Sequence, residues 1–365
     1  MIWASLVCFV AGAGVGTLVL WGVARPLAGD GSVGMPAALV AGAISAVAFV
    51  VSTLLHRPGE TIPMPRWQRV VSDLSSIAVT IAFAGVTGLG VLLASEILGV
   101  GLQGLELPAI GGGLLTGVAS AVGGRFAFGA GVGLDTGDLA GLLFGYLAIG
   151  TLFAMLTAAD PRWWERNFSQ LGIGAGSWAF NGTLVVAGLL VATVGAYIGR
   201  DLHRLRGDQA LGRIAWVVVL WAATGIALAA VGLFPLHREP LAHSIAALGT
   251  VALFIAAAIL TTIVMPGPPR GLVITTVAVV VLVVIAVVLA DPVRLYSITV
   301  LEVIVTGLGL LWMTTLVRTL SLLAPGPSRP SDRHSLRELA GTRRNGGRDR
   351  PERMSTPSSS ARTWC

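Results

Sequence analysis

Residues 271–290 read GLVITTVAVVVLVVIAVVLA, twenty consecutive positions without a charged side chain. A bilayer core about 30 Å thick takes about 20 apolar residues at the helical rise of roughly 1.5 Å per residue. No water reaches that depth, so each backbone amide must bond within its own helix. The stretch therefore predicts a membrane span, and the same pattern recurs on both sides of it. Apolar runs are read at 2–24, 36–55, 75–97, 107–123, 138–158, 177–199, 212–234, 242–265, 271–290 and 295–320. The expected fold is an all-α polytopic transmembrane helix bundle of about ten spans. The run 107–123 is short and rich in glycine (Gly111, Gly112, Gly113, Gly117, Gly123), and a re-entrant segment there would reduce the count to nine. Residues 2–24 show no cleavage pattern and read as a retained helix.

Composition points the same way. Of the 365 residues, 55% are hydrophobic and 12% charged, and the mean hydropathy is +0.83. A soluble domain carries about 25% charged residues, and a soluble fold could not hide this much apolar surface behind so few charges. Collagen-like, disordered and disulfide-rich classes are excluded on the same ground. Cys8 and Cys365 stand in no metal-ligand spacing, and His237 and His243 are separated by Pro240, so neither a metal nor a cofactor is expected.

The net charge of +6 is concentrated in the last stretch of the chain: residues 1–323 hold 15 Arg against 14 acids, and residues 324–365 hold nine Arg against four. A basic tail beside a membrane suits anionic headgroups and topology rather than nucleic acid. Pro325, Pro327, Pro330 and Ser358-Ser359-Ser360 predict that this tail is disordered. There is no Lys, and with the excess of Ala, Gly and Val this suggests a bacterial source and a multi-pass location in the cytoplasmic membrane. With ten spans, Arg57, Arg66, Arg69, Arg125, Arg200, Arg204, Arg206, Arg213 and Arg270 share one side with the tail. Arg25, Arg162, Arg166, Arg238 and Arg294 lie opposite. The richer side is expected to be cytoplasmic, with both termini there. Trp163, Trp164, Trp178 and Tyr296 then form part of an outer aromatic belt.

Three regions are expected: a four-span region 1–137, a six-span core 138–323 and the tail 324–365. A partial repeat links the first two. Ser72-Asp73-Leu74 and Ala82-Phe83-Ala84-Gly85 echo Ser169-Gln170-Leu171 and Ala179-Phe180-Asn181-Gly182, with eight of 23 positions identical from Ser72 to Ala94 at an offset of 97. Such copies, separated by three spans, would enter the bilayer from opposite sides, as inverted repeats of transporters do.

Ionisable groups inside a bilayer are costly and mark candidate sites. Glu302 lies two turns into the last span, about 9 Å below Tyr296. His243 and Ser244 open the eighth span, and Asn181 sits one turn inside the sixth. Asn181, His243, Ser244 and Glu302 share the outer half of the membrane and are expected to line one polar pocket. Each could instead satisfy a nearby helix end or hold helices together. A Ser-His-acid arrangement could be drawn from Ser244 or Ser169 with His243 and Glu302, but adjacent helical residues point about 100° apart, so Ser244 cannot pair with His243 directly. Ser169, in the outer loop, is the better nucleophile. Asp201 and His203, amid arginines, read as a solvated topology anchor. The glycine runs Gly12-Gly14-Gly16 and Gly129-Gly131-Gly133 have no preceding strand and read as helix-packing positions rather than phosphate loops.

The second half of the chain carries Ser169-Gln170-Leu171-Gly172, then Phe180-Asn181 with Gly188, then Gly232-Leu233-Phe234-Pro235 and His243 heading an Ala-rich helix. It resembles the domain of unknown function 998 family of six-span membrane proteins, which is similar in turn to the Frag/DRAM/Sfk group. The usual Ser-Asp-Leu-Gly of the family stands here as Ser-Gln-Leu-Gly, which removes an acidic role at residue 170. The resemblance implies handling of membrane lipids without implying a reaction. The expected function is lipid binding or handling at the outer leaflet. The alternatives are a proton-coupled secondary transporter using Glu302, a lipid hydrolase, and a scaffold for envelope machinery.

Overall fold

The computed structural model describes residues 1–56, 66–174, 176–291 and 293–324. The predicted disordered tail and Arg57 lie outside these residues. Ten α-helices occur among the described residues: α1 (Ile2–Val19), α2 (Gly34–His56), α3 (Arg66–Gly101), α4 (Ala109–Val132), α5 (Thr136–Leu156), α6 (Ser177–Arg206), α7 (Leu211–Leu233), α8 (Pro240–Val264), α9 (Arg270–Ala290) and α10 (Ile298–Leu323). Nine of them are long and apolar enough to cross a membrane, and α4 is the exception. Its glycines and Arg125 dilute its hydropathy, yet it runs unbroken for 24 residues, about 36 Å. The re-entrant alternative is thereby replaced by a full-length helix. The predicted end at residue 123 was too early, because glycines packed against another helix do not terminate one.

Contacts between loops fix which helix ends share a face. Strand β1 (Arg25–Pro26) pairs antiparallel with β2 (Glu106–Leu107), tying the α1–α2 and α3–α4 connections together. At the opposite face, Ser52 Oγ donates to the Phe128 carbonyl at 2.6 Å, Thr136 Oγ1 donates to Asp201 Oδ2 at 2.6 Å, and Arg206 Nε donates to the Val264 carbonyl at 2.9 Å. Consecutive helices therefore alternate in direction. Two faces result, called here the Ser169 face and the Arg204 face.

Between helices in lipid, hydrophobic burial supplies little, so close packing of small residues does the work. The glycines of α1 and α4 show this. Gly16 lies against Thr116 and Gly12 against Ser120, while Gly117 lies against the Phe9 carbonyl, where an added Cβ would come within 2.9 Å. Elsewhere the inward face is set by a repeating stripe. On α9, Leu272, Thr276, Val279, Val283, Ala286 and Ala290 are buried, and Ile274, Val277, Val281 and Val288 face outward. The two look-alike segments differ locally: Ser72-Asp73-Leu74 is helical within α3, whereas Ser169-Gln170-Leu171 forms a 3-10 turn outside any helix.

Between α7, α8, α9 and α10 sits a polar-aromatic knot. Trp221 and Trp312 stack at 5.8 Å between ring centroids. Trp221 Nε1 donates to Thr261 Oγ1 at 3.1 Å, and Trp312 Nε1 donates to Thr276 Oγ1 at 2.8 Å. The Thr276 hydroxyl also meets that of Thr262 at 2.9 Å. Thr276→Val keeps the volume and leaves the indole N–H without an acceptor. A loss of about 1 kcal/mol is expected, in line with interhelical bonds in membranes. Thermal unfolding in detergent should show a lower Tm for T276V and a wild-type value for T276S.

Candidate functional site

The connection between α5 and α6 is twenty residues long, 157–176, and loops of that length in compact proteins usually carry function. Its centre is a 3-10 turn, Phe168–Gly172. So short a turn cannot satisfy its own terminal amides and carbonyls, so partners must come from outside. They come from three membrane helices. Glu302 Oε2 accepts from the Phe168 amide at 2.7 Å. His243 Nε2 lies 2.8 Å from Ser169 Oγ. Asn181 Nδ2 donates to the Gly172 carbonyl at 3.3 Å. Three of the four polar residues expected at one depth, Asn181, His243 and Glu302, thus close on a single turn.

Helix register explains the shared level. Asn181 is the fifth residue of α6, His243 the fourth of α8 and Glu302 the fifth of α10. At the helical rise, each lies about 5–6 Å inside its helix start. Apolar contacts seat the turn: Leu171 packs with Ala154 and Phe180, and the Trp163 and Phe168 rings stand 5.1 Å apart. Thr299 Oγ1 adds a bond to the Trp164 carbonyl at 2.8 Å. A Cβ on Gly172 would come within 2.6 Å of Asn181 Oδ1, so the Asn181 amide would have to move.

The imidazole is held in a defined state. His243 Nδ1 lies 2.9 Å from the Phe234 carbonyl oxygen. A carbonyl can only accept, so Nδ1 carries the proton, and in the neutral ring Nε2 is left as an acceptor for the Ser169 hydroxyl. Ser169 and His243 are both buried, with 8% and 6% exposure. Glu302 forms no hydrogen bond with His243; its bond is to the Phe168 backbone amide. A Ser-His-acid triad is therefore not assembled, and a backbone carbonyl occupies the orienting position.

Ser244 is separate from this cluster. It is exposed and its hydroxyl donates to the Pro240 carbonyl of its own helix at 2.8 Å. Gln170 meets Arg166 Nη1 and Asn167 Oδ1, each at 3.5 Å. Among the described residues no group of three His, Cys, Asp or Glu side chains could hold a metal ion.

Asp201, expected in solvent, is 2% exposed. It accepts from Thr136 and lies 3.9 Å from Arg204 Nη1. The arginine-rich composition around it masked a buried contact between α5 and α6. His203 does keep to the surface, 2.8 Å from Asp208. The Phe234 carbonyl and the Phe168 amide escaped sequence reasoning because backbone groups have no residue-type signature. Phe234 did stand in the Gly-Leu-Phe-Pro motif, which was the available hint.

No curated protein and no solved structure matches the chain. Residues 139–319, from α5 into α10 and including Ser169, Asn181, His243 and Glu302, match the family described as "Protein of unknown function (DUF998)". The helical bundle of residues 139–319, about half of the 365 residues, belongs to the DUF998 family.

Proposed function

We propose that the protein handles lipids at its Ser169 face, and that this face meets the outer leaflet of a bacterial cytoplasmic membrane. The Ser169–His243 hydrogen bond carries the reading. It lies about one helical turn inside the helix ends, the level at which headgroups and ester linkages border the hydrocarbon. The arginine bias supports the orientation. Arg200, Arg204, Arg206, Arg213, Arg270 and Arg318 lie toward the Arg204 face, and Arg25, Arg162, Arg166, Arg238 and Arg294 toward the Ser169 face. Helix α10 ends on the richer side, as the positive-inside rule asks of a span followed in sequence by nine arginines.

A hydroxyl within hydrogen-bonding reach of a neutral imidazole is the pairing used for nucleophilic chemistry on esters. The carbonyl on Nδ1 fixes the tautomer, as a carboxylate does in a triad. The pair suits an ester-linked lipid: as Ser169 Oγ bonds the acyl carbon, His243 Nε2 takes the hydroxyl proton and passes it to the departing lipid alkoxide, and water then releases the acyl group from Ser169. Glu302 and Asn181 act as positioning residues, since they hold the turn that presents Ser169.

The test is lipid analysis of a deletion strain complemented with wild type, Ser169→Ala, His243→Ala or Ser244→Ala at matched membrane levels. Wild type and S244A should restore the lipid profile, and S169A and H243A should not. Equal restoration by all four would remove the reading.

A further inference from the structure

A second cleft lies away from the Ser169 turn. Between α3, α4 and α5 there is a space of about 1000 Å³, at the upper end of the roughly 300–1,000 Å³ usual for small-molecule sites. Missing side chains create it. A Cβ built at Gly90, Gly133, Gly141 or Gly145 meets no atom within 4 Å, and all four residues line the space. Its walls are otherwise mostly apolar, with Arg125 and Asp138 also on the lining.

Arg125 is the unusual component. It sits seven residues before the end of α4, about 10 Å inside that end. Its side chain is exposed and forms no hydrogen bond or ion pair with another described residue. An arginine at such depth is costly unless it pairs or reaches the interface. Also on the lining, Asp138 accepts from the Asp135 amide at 3.2 Å, and Asp135 accepts from the Asp138 amide at 2.7 Å. The lining therefore presents one guanidinium and one carboxylate, the latter bound to a backbone amide rather than to Arg125.

We infer that this cleft binds a zwitterionic aminophospholipid from the leaflet on the Arg204 face. Its phosphate rests on Arg125, its ammonium lies beside Asp138, and one acyl chain fills the glycine-lined space. Charge complementarity selects this occupant. A fatty acid or phosphatidylglycerol carries one negative charge and no positive one, so it would satisfy Arg125 and leave Asp138 without a counter-charge. A guanidinium–phosphate contact is charge-assisted and geometrically specific. The inference is independent of the proposal for the Ser169 face.

The test is native mass spectrometry of the full chain, delipidated in detergent and then offered phosphatidylethanolamine or phosphatidylglycerol. Wild type should retain phosphatidylethanolamine in preference. Arg125→Gln should weaken retention about ten-fold, the loss of one charge-assisted contact. Gly145→Leu, whose Cβ meets no atom within 4 Å and whose side chain enters the cleft's open space, should abolish retention with the Tm unchanged or raised. Inorganic phosphate in millimolar excess should not compete. Equal retention by all three proteins, preference for phosphatidylglycerol, or displacement by free phosphate would each overturn the proposal.

Discussion

Gly188→Leu and Gly225→Leu are each expected to yield no monodisperse protein from the membrane fraction. The backbones of α6 and α7 touch where these residues cross. A Cβ on Gly188 would press on the Gly225 carbonyl oxygen and come within 2.6 Å of the Ala229 nitrogen. A Cβ on Gly225 would press on the Gly188 carbonyl oxygen and come within 2.8 Å of the Ala192 nitrogen. Overpacking against side chains costs about 1–3 kcal/mol, because they can turn aside. Backbone cannot, so the helices must part along their length and lose the small-residue packing that joins them in lipid. Size-exclusion profiles after detergent extraction check this, with Gly212→Leu as a control, since nothing lies within 4 Å of a Cβ there. Wild-type elution and Tm for G188L would mean that the crossing is looser than described.

Asp201→Leu is the second large effect. The carboxylate is 2% exposed and accepts from Thr136 Oγ1 at 2.6 Å, itself 3% exposed. It joins the end of α6 to the start of α5. Removing the acceptor leaves the Thr136 hydroxyl buried without its partner, which costs about 1–3 kcal/mol. Asp201→Asn retains an acceptor oxygen for Thr136 and should lose less. Arg204→Ala should lose least, since Arg204 is 38% exposed at the side chain and 3.9 Å away, and exposed ion pairs contribute about 0–1 kcal/mol. Thermal unfolding in detergent should rank the variants in that order. A wild-type Tm for D201L would show that the contact is dispensable.

Asp201 also shows where sequence reading misleads. Arginines at 200, 204 and 206 made the segment look solvated, and those residues do extend α6 as helix to Arg206. Burial of the one acid among them depended on α5 arriving beside it. Gly188 is the reverse case. It was noticed as part of a family motif, and its reason became visible only when Gly225 was found opposite. At the Ser169 face, the depth of Asn181, His243 and Glu302 could be counted from the span starts, because helical rise is constant. Their targets could not be counted. Ser244 stood at the same level and faces outward, since one residue of rotation separates it from His243. Glu302 was weighed as a catalytic acid or proton carrier, and it caps a backbone amide that no residue letter reveals.

The amino-acid sequence by itself determined that this chain lies in a membrane as a helical bundle, and at what level its few polar residues sit. Both follow from transfer energetics and helical rise, which act residue by residue without needing a partner. Only the tertiary structure decided that three of those residues converge on one turn, that α4 is unbroken, and that glycines of α6 and α7 meet. In helices apolar on every side, no amphipathic face announces the inward surface. The choice of neighbour then falls to shape, to glycines and threonines whose complement lies far away in the chain.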